Sequence, residues 1–81
     1  DTGNSTAITN AAIKILESLD KLGTEVVNAR KKSLTADEKD RLSDIVLDAK
    51  ATFFDTKQTP GLMENPKAKP LLKSIPDKLS E

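Results

Sequence analysis

The chain has 81 residues, of which 36% are hydrophobic and 32% charged, and it contains no cysteine and no histidine. This length suits one domain, and the missing residue types exclude disulfides, the usual zinc sites, and catalysis by a thiolate or an imidazole. Thirteen basic and thirteen acidic side chains cancel, so no net field attracts nucleic acid, and no apolar run approaches the roughly 20 residues that span a bilayer.

The chain begins with a polar segment whose first residue is Asp1 rather than methionine. We expect residues 1–5 to form a flexible tether and residues 6–81 to form a single small helical domain. A polar start without methionine is typical of a trimmed chain or of a mature protein from which a signal peptide has been removed. We therefore expect a secreted or periplasmic protein, and a cytoplasmic location remains the alternative.

A long amphipathic helix is predicted from about residue 6 to about residue 31. Its apolar positions are separated alternately by four and three residues, so they share one stripe on a helix that turns about 100° per residue. The stripe consists of Ile8, Ala12, Ile15, Leu19, Leu22 and Val26, with Ala11 and Ala29 inside it. Gly23 interrupts this helix at a cost of up to about 1 kcal/mol relative to alanine, so it indicates a bend or a close helix crossing.

A second helix is predicted from residue 36 to about residue 54. Thr35 and Glu38 have the spacing of a capping box, in which each side chain accepts a hydrogen bond from the other residue's backbone N–H. The connection Ser33–Leu34 is short, so the two helices are expected to pack as an antiparallel hairpin. The predicted core stripe of the second helix consists of Leu42, Ile45, Val46, Ala49 and Phe53.

The second helix also has a smaller apolar strip and a row of carboxylates. Leu47 and Phe54 are seven residues apart, so they share a face well away from the core stripe. The acidic row between the two faces consists of Asp37, Asp40, Asp44, Asp48 and Asp55. We predict a partner-binding surface made of Leu47, Phe54, Asp40, Asp44 and Asp48.

All four prolines fall in the last third of the chain. Thr59-Pro60-Gly61 predicts a turn, and Asn65-Pro66 predicts the start of a short third helical segment over about 65–79. We expect this basic segment to fold back across the hairpin, covering Leu47 and Phe54 beside the acidic row. The alternative is a mobile tail that docks only on a partner.

The predicted architecture is therefore all-α, a helical hairpin completed by a short proline-rich third segment. It offers no catalytic residue and no cofactor site, and carboxylates one turn apart on a helix cannot wrap a metal ion. The short interhelical connection invites comparison with a helix-turn-helix, but the second helix is acidic and would repel the phosphates of nucleic acid.

Two functional classes remain. The first is a non-enzymatic module that binds another protein, as an inhibitor, adaptor, exclusion factor or secreted effector. The second is a carrier that opens its hairpin to cover lipid or another apolar ligand with the stripe of the first helix. Lys14 and Lys21 on the polar face of that helix are balanced by acidic residues, which favours protein binding. Homo-oligomerisation through the same stripe is a further way to complete the core.

Overall fold

The computed structural model describes the backbone of residues 2–80 and the side chains of residues 6–80. Within this range the chain forms three helices and no strand: α1 (Thr2–Arg30), α2 (Ala36–Lys57) and α3 (Ala68–Leu79). This arrangement confirms the predicted all-α fold, a helical hairpin with a third helix. The molecule measures 50 × 18 × 14 Å, because α1 alone is about 43 Å long.

Two helix boundaries differ from the prediction. α1 begins at Thr2, so residues 2–5, expected to form a tether, instead extend this helix, while Asp1 lies outside the described residues. α2 continues to Lys57, three residues past its predicted end. In this extra turn the hydroxyl of the buried Thr56 donates a hydrogen bond to the Thr52 carbonyl at 2.7 Å, so the added polar group has a partner.

The start of α2 confirms the predicted capping box. The backbone N–H of Glu38 donates to Thr35 Oγ1 at 3.2 Å, and the backbone N–H of Thr35 donates to Glu38 Oε1 at 3.1 Å. The hydrogen bond from the Thr35 backbone to the carboxylate, assisted by the Thr35 side chain, lowers the pKa of Glu38. The two side chains of this motif therefore accept hydrogen bonds from backbone N–H groups that have no partner within the helix.

The link between α2 and α3 follows the predicted turn chemistry. Leu62 N donates to Thr59 O at 3.1 Å, and Gly61 has φ +79°, as the third position of a type II turn requires. Further on, Asn65 Oδ1 accepts from Lys67 N at 2.8 Å. Asn65 therefore caps the turn that leads into α3, although regular helix begins three residues later.

The core lies mainly between α1 and α3, which make the most extensive contact of the three helices. Its fully buried side chains come from all parts of the chain. They include Leu16, Val26, Leu62, Ile75 and Leu79. The third segment is thus a main wall of the core rather than a cap over it.

This position of α3 corrects the predicted core face of α1. Ile8 and Ile15 are 56% and 44% exposed, whereas Ile13 and Leu16, which the predicted stripe omitted, are buried. The buried face is rotated by roughly 60° about the helix axis, because it must meet α3 as well as α2. Ile45 on α2 is also exposed, so its assignment to the core was wrong.

The expected path of the third segment was wrong as well. The segment forms a helix, but it packs against α1 and leaves Leu47 and Phe54 uncovered. Its ionic contact is to α1, where Lys78 Nζ lies 2.9 Å from Asp20 Oδ1, and not to the acidic row of α2. The apolar residues Ile75 and Leu79 share one side of α3 with this contact, so burying them turns the helix towards α1.

Gly23 allows the close approach of α1 and α3. A Cβ added at this position would lie 2.9 Å from Lys78 Cβ, closer than two carbon atoms can pack. Around this point Lys78 Nζ also donates to Thr24 Oγ1 at 2.8 Å, and Ser74 Oγ donates to Asp20 Oδ1 at 3.0 Å. The close crossing predicted from the glycine is confirmed.

Arg30, the last residue of α1, fixes the same C-terminal end of α3. Its guanidinium donates to the carbonyls of Lys78, Leu79 and Ser80 at 3.3, 3.3 and 2.9 Å. The last carbonyls of a helix have no partner within it and carry partial negative charge. A cation at this position donates the missing hydrogen bonds and balances that charge.

Gly23→Ala is expected to lower the free energy of unfolding. The new methyl group meets Lys78 Cβ, which moves only if α3 moves, and such overpacking costs about 1–3 kcal/mol. That cost exceeds the gain in helix propensity of up to about 1 kcal/mol. Urea denaturation measures the difference. Ser18→Ala, at an exposed position of the same helix, should gain stability, and a Gly23→Ala variant as stable as the parent would contradict the close packing.

Asp20 should contribute to the acid sensitivity of the fold. The hydrogen bond from Lys78 is the main cause that lowers the pKa of Asp20, opposed by partial burial and assisted by Ser74. A folded-state pKa below the unfolded value contributes stability above the unfolded pKa, near 3.8, which is lost as the pH falls through the folded pKa.

Urea denaturation from neutral pH to about pH 2 tests this linkage. Asp20→Asn should be less stable than the parent at neutral pH, and the gap should narrow at the acid end. Asp48→Asn removes an exposed carboxylate and serves as the matched control. A gap between parent and Asp20→Asn that stays constant over the whole range would contradict the assignment.

Candidate functional site

The predicted partner surface lies on the side of α2 that faces away from the core. Leu47 is 64% exposed and Phe54 56% exposed. Asp40, Asp44 and Asp48 are exposed too, and within the described part of the chain they form no ion pair. These five residues are therefore accessible, and their joint role as a binding surface stays a prediction.

Apart from Glu38 and Arg41, the charges of α2 fall into two lines. Lys39, Lys50 and Lys57 share one side by helical phase, and the acidic row lies on another, with Leu47 and Phe54 between them. Neither Lys39 nor Lys50 has a carboxylate three or four residues away, the spacing at which helical side chains pair. The side chains of these lysines consequently have no carboxylate at the pairing positions of their own helix.

Lys39 and Lys50 border an open groove of about 760 Å³ between α2, the α1–α2 link and the C-terminal end of α3. Its floor is apolar and its rim is basic. The apolar lining consists of Leu34, Leu42, Val46, Leu47 and Leu79, and the cationic lining consists of Arg30, Lys32, Lys39 and Lys50. Among the side chains of residues 6–80 no carboxylate lines the groove, although acidic and basic residues are equally numerous in the chain.

The four cations differ in availability. Arg30 is committed to the α3 carbonyls. Lys32, Lys39 and Lys50 make no ion pair or hydrogen bond through their side chains within residues 6–80. Three ammonium groups are thus free to meet an incoming negative charge, while Arg30 holds the end wall of the groove in place.

Leu47 and Phe54 have different surroundings. Leu47 lies at the edge of the groove, whereas Phe54 lies two turns further along α2 and does not line it. The Nζ of Lys57 is 4.8 Å from the centre of the Phe54 ring and 5.9 Å from that of Phe53, a cation–π arrangement. Lys57 therefore partly covers the aromatic end of the predicted strip.

The described residues show little that would support other chemistry. No three acidic side chains among them come together where they could hold a metal ion. None of the helices within residues 2–80 combines the length and hydropathy of a membrane span.

Comparisons of this chain with models of known protein families, with curated proteins and with solved structures gave no match. The function is therefore inferred from the geometry of the groove and the surface of α2.

Several groove residues were missed at the sequence level. The signal for Lys39 and Lys50 was available, because the absence of acidic neighbours at helical spacing can be counted directly. Leu79 carried no such signal, because it comes from the far end of the chain and its place beside Leu42 depends on how α3 packs.

Aspartate substitutions should separate core from surface. Leu19→Asp is expected to unfold the domain, because Leu19 is buried in the core and burying an unpaired charge costs too much free energy. Leu47→Asp and Phe54→Asp should lower the free energy of unfolding by less than about 1 kcal/mol. Met63→Asp is the matched control, since Met63 is also 64% exposed but lies outside the groove. Circular dichroism with urea denaturation measures all four, and unfolding by Leu47→Asp would assign Leu47 to the core.

Proposed function

We propose that this protein is a non-enzymatic helical module that acts by binding another protein in the groove between α2 and α3. The observation that carries the proposal is the apolar floor, which includes Leu42 and Val46 and remains open because α3 packs against α1 instead. Apolar surface with a polar rim is the usual composition of a protein-binding site. Leu47, at the edge of this groove, is the residue most available to a partner.

The size and shape of the groove support a protein rather than a small ligand. Pockets for small molecules bury most of the ligand surface, but this groove is open along one side. One wall is a face of α2, and the other is formed by the end of α1, the α1–α2 link and the last residues of α3. Apolar grooves of this kind commonly bind a helix. The acidic row lies outside the groove, beyond Leu47, and offers a second surface for polar contacts, where charges contribute more to association rate and specificity than to affinity.

A carrier of lipid or another apolar ligand is the second candidate. Its support is the flank of α1 that carries Ile8 and Ile15. Both side chains are exposed, so this flank of the helix could contact an apolar phase. The same helix must give up its contacts with α3 before its buried face could contribute, which makes this candidate the less favoured one.

Site-specific photo-crosslinking tests the proposal. A photoreactive amino acid replaces Ser43, which lines the groove, or Ser18, which is exposed on α1 outside it. In an extract of the source cells or their medium we expect a defined protein adduct from position 43 and not from position 18. The adduct should disappear when Leu47→Asp is added, because that change places a charge at the edge of the apolar floor.

Two results would contradict the proposal. Equal crosslinking from both positions would show that contact with position 43 is not specific. Flotation of the parent protein with phosphatidylcholine vesicles, lost in Ile8→Asp and Ile15→Asp but kept in Leu47→Asp, would favour the carrier instead.

A further inference from the structure

We propose that the groove binds an acidic amphipathic helix of the partner, with leucine-like side chains on one face and carboxylates beside them. This inference rests on the proposed function and names the chemistry of the partner segment. The observation behind it is the sign of the groove, which collects four cations and, within the part of the chain whose side chains are described, no carboxylate, on a chain of zero formal net charge.

The length of the groove fits about three helical turns. Lys39 and Lys50 mark its extent along α2, and eleven residues of helix span about 16.5 Å. A docked helix of this length presents three or four anchors at the i, i+3, i+4 and i+7 positions. Leu47 and the partly buried Leu34 and Leu42 supply the accessible apolar surface for them, and the buried Val46 and Leu79 close the floor beneath.

The placement of the cations favours carboxylates at both ends of the docked helix. Lys32 and Lys39 lie near the start of α2, whereas Lys50 lies three turns further along. Because none of these ammonium groups is paired within residues 6–80, each would gain a partner without breaking an existing contact. An acidic helix thus neutralises the rim while its apolar face covers the floor.

A second copy of this chain fits the groove less well. α2 is itself acidic on one side, but an antiparallel pair of α2 helices sets the lysine line of one copy against the lysine line of the other. The strip that would form the seam has only two large apolar side chains, Leu47 and Phe54. Two side chains cannot bury the roughly 1,200 Å² of surface that a stable interface buries.

Fluorescence anisotropy with defined peptides tests the inference. The probe is a labelled helical peptide of about fourteen residues, with leucines on one face and glutamates on the other. One control peptide has lysine for every glutamate, and another has the same composition in an order without an apolar face. We expect the acidic amphipathic peptide to bind, with affinity that falls as salt is added, and the two controls to bind at least about tenfold more weakly.

Charge reversal provides the matched variants. Lys39→Glu with Lys50→Glu should weaken binding of the acidic peptide by at least about tenfold and improve binding of the lysine peptide. Lys14→Glu with Lys21→Glu makes the same change of charge on the exposed face of α1 and should alter neither. Circular dichroism shows whether both double variants remain folded. If the groove variant unfolds, changes in amide chemical shift of the parent protein decide whether the peptide contacts residues 39–50 or another surface.

Each remaining outcome overturns the inference. These outcomes are no binding of the acidic peptide, equal binding of the peptide without an apolar face, or amide shifts outside the groove. If oleate changes the amide chemical shifts of residues 39–50 and the acidic peptide does not, the groove is assigned to an anionic lipid. If position 43 crosslinks a protein but the acidic peptide does not bind, the proposed function stands and only this inference fails. If position 43 crosslinks nothing specific, the proposed function itself fails.

Discussion

The contact between α1 and α3 at Gly23 determines most of this structure. Because Gly23 has no side chain, Lys78 can lie directly against α1 and its ammonium group can reach Asp20. Once α3 occupies this side of α1, the residues that must be buried are decided for all three helices. α1 turns Leu16 inward, and α2 contributes only a narrow line of core residues.

The open groove is a consequence of the same contact. α3 is a short helix of 12 residues, and the side it presents to α1 cannot also cover the outer side of α2. Arg30 secures the α3 end next to the groove by holding carbonyls that would otherwise lack partners. The groove is therefore bordered by α2 and by a secured end of α3, which would limit the conformational entropy lost if a partner docks there as proposed.

Local features of the fold could be predicted from sequence because each depends on residues close together in the chain. The capping box of Thr35 and the type II turn at Gly61 are of this kind. Gly23 indicated either a bend or a close crossing, because its partner, Lys78, lies far along the chain. The face of α1 that becomes buried could not be predicted in the same way. Both the flank with Ile15 and the flank with Ile13 are apolar, and the choice between them is made by α3, whose contacts with α1 join residues more than fifty positions apart. For the site, the exposure of Leu47 followed from its phase on α2, whereas the contribution of Leu79 required the tertiary arrangement.

The dependence of α1 on α3 also orders the events of folding. A ribosome delivers α1 first and α3 only after the whole of α2, so the hairpin exists for a time with one wall of its core missing. During that interval the core lacks Ile75 and Leu79, and a nascent chain with an incomplete core exposes apolar surface of the kind for which chaperones exist. Closure of the ring of three helices must then wait for a long loop to bring its ends together, which is slower than the pairing of neighbouring helices.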